Sequence, residues 1–278
     1  MFDATHPDVR AAVERALAED LGSGDVTTNL TVPEHLGAHG FFLAKQDFVA
    51  AGLELVPLIY QLGGGAEIKL LAGSGDSISK GMHLAEVRGP ARVLLSCERV
   101  ALNFLQRLSG VATLAHQHVQ KLGSSKTRVL DTRKTTPGLR ILEKMAVAAG
   151  GAVNHRKGLY DAVLIKNNHI TAAGGVAKAL EAVRGFNGQV EIEVRTRAEL
   201  DEALATGAKH LLLDNLTPSE AAEWIALING RATVELSGNI NLDNIASYAD
   251  AGADFISCGA ITHSAAAVDI SFRLELEQ

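Results

Sequence analysis

Apolar residues at Val9, Ala12, Val13, Ala16 and Leu17 fall on one stripe at helical spacing, so residues 8–21 (DVRAAVERALAEDL) predict an amphipathic helix, with Pro7 suited to its first turn. GSGDVTTN then breaks that helix. The apolar-rich runs HGFFLAK and AEIKLLAG read as strands on either side of a helix near LELVPLIYQL, which stops at Gly63-Gly64-Gly65. GDSISKGMHLAEVRGP reads as a hairpin with turn glycines, ended by Gly89-Pro90. A long helical stretch, roughly residues 91–121, follows, with Gly110 marking a break inside it. The first third of the chain is therefore mixed α+β.

From about residue 127 the texture changes. Short apolar runs ending in a polar residue recur: RVLDTRK, DAVLIKNN, VEIEVR, HLLLDN, TVELSGN and DFISCGA. Helical patterns such as AELDEALATGA, PSEAAEWIALING and NLDNIASYADAGA lie between most of them. That alternation is the beat of βα units and implies a parallel sheet. Polar residues at the C-terminal ends of the strands suggest a barrel of the TIM kind, whose chemistry sits on that face. A full barrel takes about 250 residues, and little more than half of that remains, so a shortened or open barrel is expected. The final run, SFRLELEQ, is expected to return to the first domain.

Composition narrows the function. The 278 residues are 47% hydrophobic and 21% charged, with a net charge of −6, which gives the whole protein no attraction for nucleic acid or anionic lipid. No apolar run approaches the roughly 20 residues that span a bilayer, and MFDATHPDVR lacks the features of a signal peptide. Cys97 and Cys258 are far apart and form no metal or disulfide pattern, so reduced thiols and a cytoplasmic location are expected. Against this acidic average, nine lysines and arginines gather between Lys126 and Lys166, opposed only by Asp131, Glu143 and Asp161. Such a segment suits a small, strongly anionic ligand.

Five groups carry candidate chemistry. In DTRKTTPGLR, Pro137-Gly138 forces a turn directly after Thr132-Arg133-Lys134-Thr135, and neighbouring Arg and Lys at a strand end form an anion clamp. In AVNHRKGL, His155 and Arg156 follow Gly150-Gly151, a pair that permits close backbone approach to a ligand. Lys166 ends DAVLIK, where it is either a Schiff-base nucleophile, a cationic substrate contact, or a lysine reaching out of the strand to water. Glu191 and Glu193 point to one side of their strand, and with Asp214 such carboxylates accept from ribose hydroxyls or hold Mg²⁺, partly through water; one of the two glutamates could equally be a structural partner for an arginine. Ser237-Gly238-Asn239 and Cys258-Gly259-Ala260 are glycine turns directly after strands, placed where TIM-type barrels bind phosphate.

Taken together, EDLGSGDVTT, ERVALNFLQRLSGVAT, DTRKTTPGLR, GGAVNHRKGL, DAVLIKNNHI, LLLDN, ELSGNI and GADFISCGAITHS resemble the quinolinate phosphoribosyltransferases, nearly end to end. TRKTTPGLR, NHR and IKNNH in that order are the specific part. The resemblance implies an N-terminal α+β sandwich over residues 1–110, rejoined by 270–278, and an open, shortened TIM-like α/β barrel over 111–269. It implies transfer of phosphoribosyl from phosphoribosyl pyrophosphate to quinolinate with Mg²⁺, releasing pyrophosphate and carbon dioxide and giving nicotinate mononucleotide. Thr132, Arg133, Lys134, His155, Arg156 and Lys166 would line the quinolinate and phosphate pocket, and Lys134, Lys166, Glu193 and Asp214 would be the catalytic set. Glu193 and Asp214 would face ribose and metal, the two glycine turns would hold the 5′-phosphate, and Arg99 would reach the partner's site in a homodimer or higher oligomer. One position departs from the pattern: relatives commonly carry an acid two residues after Glu193, and this chain has Arg195.

Three other readings compete. A homologous transferase of molybdenum systems shares the fold and much of TRKTxPG, but is expected to differ at NHR and IKNNH, both intact here. A Schiff-base barrel aldolase accounts for Lys166 but not for the arginines around it. GDSISKGMHLAEVRG resembles a lipoyl-type carrier hairpin, though such a module is under ~100 residues and needs its lysine at an exposed tip.

Overall fold

The computed structural model describes residues 2–123 and 125–276. The elements in chain order begin α1 (Pro7–Leu21), α2 (Val26–Thr31), β1 (Gly37–Ala44), β2 (Phe48–Val49), α3 (Leu55–Leu62), β3 (Glu67–Leu70), β4 (Ser77–Ile78), β5 (His83–Pro90) and α4 (Ala91–Leu122). They continue β6 (Arg128–Leu130), α5 (Arg140–Ala149), β7 (Val163–Ile165), α6 (Asn167–Ala173), α7 (Val176–Ala182), β8 (Val190–Val194), α8 (Arg197–Thr206) and β9 (His210–Asp214). The remainder is α9 (Pro218–Ile228), β10 (Thr233–Ser237), a 3₁₀ turn at Ile245–Tyr248, β11 (Phe255–Ser257), α10 (Ala260–His263) and β12 (Ile270–Leu276). The chain forms two compact units, one of residues 1–116, 135–151 and 261–278, the other of 117–134 and 152–260.

The first unit holds an antiparallel sheet in the order β12-β1-β5-β3. Its strand from the C-terminal run, β12, pairs with β1 from Ala38↔Leu276 to Ala44↔Ile270; residues 277 and 278 lie outside the described part. Val9, Val13 and Leu17 of α1 and Ile59 and Tyr60 of α3 are buried, as their helical spacing requires. GSGDVTTN does break α1, at Gly22 (φ 48°), but its second half then forms α2, because Asp25 Oδ1 accepts the Thr28 N–H and caps it.

Two expectations fail in this unit. Gly110 does not break α4, which runs unbroken; a Cβ there would lie 2.0 Å from the Ala266 carbonyl oxygen, so the glycine admits a neighbouring backbone. GDSISKGMHLAEVRGP is not a hairpin either. β4 pairs with β2, burying Ile78 near Phe48, while β5 joins β1 and β3, so the turn between them connects two different sheets.

The second unit carries the six expected strands, all parallel, in the order β6-β11-β10-β9-β8-β7. A seventh strand-like segment, missed in the sequence, adds beside β6 through a single bridge, Leu130↔Val153. NLDNIASYADAGA makes only the short 3₁₀ turn instead of a helix. Asn244 Oδ1 accepts the Asn241 N–H and Asn241 Oδ1 accepts the Asp243 N–H, so side chains take the backbone groups that a helix would use.

The sheet is curled. From Val153 to β8 is five strand spacings, about 24 Å if flat. Yet His155 Nε2 lies 3.3 Å from Glu191 Oε2 on β8. Only a sheet closing on itself brings them together, and no strand among the described residues joins β7 to the Val153 segment, so the barrel is open. Parallel strands put all their C-terminal ends on one rim, and residues 132–134, Lys166, Asp214, and residues 237–239 and 258–260 end or directly follow their strands there, whereas Arg99 lies on α4 in the first unit.

Candidate active site

At that rim, Lys166 stands exposed at the end of β7, held by its own N–H, which donates to His169 Nδ1 (2.9 Å) in the first turn of α6. Its Nζ lies 3.9 Å from Glu193 Oε2 on β8, and Arg195 Nε lies 4.0 Å from Glu193 Oε1. Burial, then the nearby Asp214, raises the Glu193 carboxyl above its ordinary range, against Lys166 and Arg195. The basic residue at 195 therefore acts directly on the acid that the resemblance assigns to ribose and metal.

Asp214 ends β9 and accepts the Asn215 side-chain amide at 2.7 Å. Asn215 (φ 60°) donates its N–H to Ser237 O, and a Cβ on Gly238 (φ 99°) would meet Asn215 Oδ1 at 2.3 Å. The Ser237-Gly238-Asn239 turn is thus seated on the Asp214-Asn215 turn, and Asn239 Nδ2 donates to Asn215 Oδ1 at 3.2 Å. In the other glycine turn, the Cys258 N–H donates to Leu130 O and its thiol is fully buried, pushed up to about 12 by burial and then by Glu235. Only Gly259 and Ala260 of that turn are half-exposed.

The second cluster is built on Asp131, fully buried at the end of β6. Its Oδ1 accepts the His155 N–H and its Oδ2 the Asn154 amide, both at 2.8 Å, so one carboxylate ties NHR to TRK. Thr132 Oγ1 accepts the Lys134 N–H at 3.0 Å, shaping the loop that presents Arg133 half-buried and Lys134 exposed. Arg156 Nη1 donates to Ala162 O; burial and the neighbouring Arg133 charge weaken its hold on its proton, opposed by Asp161 and Glu191. Two guanidiniums brought close together and half-buried make a site for an anion.

His155 Nε2 sits between Glu191 Oε2 (3.3 Å) and Glu235 Oε2 (3.4 Å). Two influences on this ring disagree. Burial favours the neutral form, while the two carboxylates more than offset it and hold the ring protonated up to about 9. Nδ1, however, accepts the Arg156 N–H at 2.7 Å, which needs a lone pair there. The hydrogen bond is the stricter constraint, because a proton on Nδ1 would face another N–H. The ring therefore carries its proton on Nε2, and a further proton belongs on Glu235, which burial pushes up. Glu235 gave no signal in the sequence, because a glutamate inside TVELS shows its role only once the barrel closes.

Arg99 is exposed on α4 in the first unit, beside Glu98, whose carboxyl burial pushes up against the Arg99 charge. Among the described residues, the one group of three potential metal ligands is His155, Glu191 and Glu235, and their distances are those of hydrogen bonds and ion pairs. Glu193 and Asp214 supply two carboxylates, a set that suits Mg²⁺, which keeps waters and binds mainly through one or two carboxylates and substrate phosphates.

Known proteins resemble this chain along its whole length. Residues 25–109 match the family model of the quinolinate phosphoribosyl transferase N-terminal domain, and residues 111–273 match that of its C-terminal domain. A quinolinate phosphoribosyltransferase [decarboxylating] 1b of Nicotiana tabacum is 39% identical over 297 residues, covering 98% of this chain and 84% of that protein. A probable nicotinate-nucleotide pyrophosphorylase [carboxylating] of Bacillus subtilis is 38% identical over 275 residues, covering 98% and 95%. The crystal structure of NadC from Streptococcus pyogenes superposes with a TM-score of 0.95 at 38% identity, covering 100% of both chains. Two family models that together span most of the chain, and full-length relatives at this identity, place the protein in the quinolinate phosphoribosyltransferase family.

Proposed function

We propose that this chain transfers the phosphoribosyl group of phosphoribosyl pyrophosphate to quinolinate with decarboxylation, giving nicotinate mononucleotide, pyrophosphate and carbon dioxide for NAD biosynthesis. The observation that carries the reading is the meeting of Arg133 with Arg156 on one side of the barrel, with Lys166, Glu193 and Asp214 on strand ends of the same rim. Quinolinate brings two carboxylates and the donor several phosphate charges, so the fixed cations orient both. Arg133, Lys134, Arg156 and Lys166 bind the anionic groups. As the ring nitrogen's lone pair forms the bond to the anomeric carbon, the bond to pyrophosphate breaks and positive charge builds at that carbon. Carboxylates at Glu193 and Asp214 stabilise that charge. The ring then loses carbon dioxide and the carbon left behind takes up a proton.

Mg²⁺ held by Glu193, Asp214 and the donor's phosphates would supply charge neutralisation for the leaving pyrophosphate. The glycine turns after β10 and β11 are proposed to seat the 5′-phosphate. A homodimer in which Arg99 reaches the partner's site is part of the same reading, as is a cytoplasmic setting, which two buried free thiols support. No helix among the described residues is long and apolar enough to cross a membrane.

The test is incubation with quinolinate, phosphoribosyl pyrophosphate and Mg²⁺, following mononucleotide and carbon dioxide, with nicotinate as the control acceptor. Product from quinolinate and not from nicotinate is expected. No product from folded protein would overturn the reading.

A further inference from the structure

We infer that Glu191 and Glu235 are positioning residues for the acceptor clamp, locking the His155 ring and, through it, the backbone that aims Arg156. The inference rests on the quinolinate reading above and goes beyond it, because it assigns roles to two buried acids and takes His155 out of direct contact with substrate.

Both ring nitrogens of His155 are already engaged. Nδ1 accepts the Arg156 N–H at 2.7 Å, and Nε2 faces Glu191 and Glu235 at 3.3 and 3.4 Å. A carboxylate of the substrate placed against Nε2 would find that nitrogen already faced by Glu191 and Glu235, and the Glu191 carboxylate would repel it. The group in NHR that suits an anion is the Arg156 guanidinium, next to Arg133. His155 acts one bond away: its ring fixes the Arg156 N–H, and its own N–H is fixed by Asp131.

The two acids are otherwise hard to account for. Glu191 is 4% exposed and Glu235 3%, and Glu235 Oε1 has no hydrogen-bond partner. Buried carboxylates are costly unless paired. They come from β8 and β10, which flank β9, and their Oε2 atoms meet at the one ring nitrogen. That convergence fixes the ring's direction from two strands of the sheet.

The experiment replaces each acid by methionine, which keeps length and removes the acceptor, and by glutamine, which keeps an acceptor. Glu191→Met and Glu235→Met should raise the quinolinate KM by about tenfold or more, the scale of a lost charge-assisted hydrogen bond. The phosphoribosyl pyrophosphate KM should stay nearly unchanged, and Glu235→Gln should restore most of the loss. Folded methionine variants with an unchanged quinolinate KM, or with both KM values rising together, would overturn the inference.

Should the methionine variants not fold, the wild-type protein gives the answer by nitrogen-15 NMR of its histidine rings, with His155 assigned by its loss in His155→Gln. The ring should be protonated on Nε2 only, and saturating phthalate, a benzene dicarboxylate of the same shape as quinolinate, should leave it so while shifting the Arg156 side-chain signal. A His155 ring that takes a second proton or a new partner when phthalate binds would overturn the inference. Inactivity of the wild-type enzyme would strike the proposed reaction instead, which separates the two failures.

Discussion

Asp131 Oδ1 accepts the backbone N–H of His155 at 2.8 Å, one of the bonds that hold together two basic segments 24 positions apart in the chain. Asp131 directly precedes Thr132-Arg133-Lys134, so its place at the end of β6 sets where that loop begins. Asp131→Ala would remove the acceptor shared by the His155 N–H and the Asn154 amide. A loss of about 1–3 kcal/mol in urea unfolding is expected, with Asp131→Asn less affected because it keeps an acceptor. A wild-type midpoint for Asp131→Ala would show the tie to be dispensable.

Lys134 and Arg156 should matter for turnover rather than for folding, since Lys134 is exposed and Arg156 only half-buried. Lys134→Ala and Arg156→Ala are each expected to lose activity by about 10–100-fold or more, the worth of a charged hydrogen bond to an anion, with an unchanged circular dichroism spectrum. Near-normal kcat/KM in either variant would remove that residue from the site.

The proposal that Arg99 reaches the partner's site in a homodimer gives a complementation experiment. Arg99→Ala and Lys166→Ala chains, each inactive alone, should regain part of the activity when mixed, because one site of the hybrid dimer carries neither change. Subunit exchange proven by mass spectrometry without any recovery would count against a shared site.

Two glycines separate helix propensity from packing. Gly110→Ala should destabilise by about 1–3 kcal/mol or more although alanine is the better helix former, because its Cβ would lie 2.0 Å from Ala266 O. Gly185→Ala, where nothing stands within 4 Å of an added Cβ, should unfold within about 0.5 kcal/mol of the parent. Equal thermal midpoints for the two variants would refute the packing account of Gly110.

Cys97 and Cys258 should be silent toward thiol reagents. Both are fully buried, and burial pushes them to about 11 and about 12, so little thiolate forms at neutral pH. No reaction with an aromatic disulfide is expected in the native protein, and both thiols should react once it is unfolded. Rapid native labelling of either would show that its surroundings open.

The parallel strands were legible because each is a short apolar run closed by a polar residue, and the cations were legible because they stand at those closing positions. Val153 escaped notice because a strand held by one bridge leaves no periodic pattern. The role of Gly110 was hidden for a different reason: glycine in a helical stretch looks like a break until the backbone at Ala266 is placed against it. Asp131 and Glu235 likewise read as ordinary acids, since their partners lie on other strands and the pairing exists only in the closed barrel.

The pairing of Ala44 with Ile270 and of Phe42 with Phe272 sets a timetable for synthesis. While the chain is emerging from a ribosome, β1 has β5 on one side and nothing on the other, and Gly40 lacks the Phe272 ring that lies over it. An unpaired strand containing Phe41 and Phe42 is a hazard for aggregation during that interval. The first sheet is completed only after the entire barrel has been translated, so chaperone demand should be highest during that interval, and truncation before residue 270 should leave β1 with a sticky, unpaired edge.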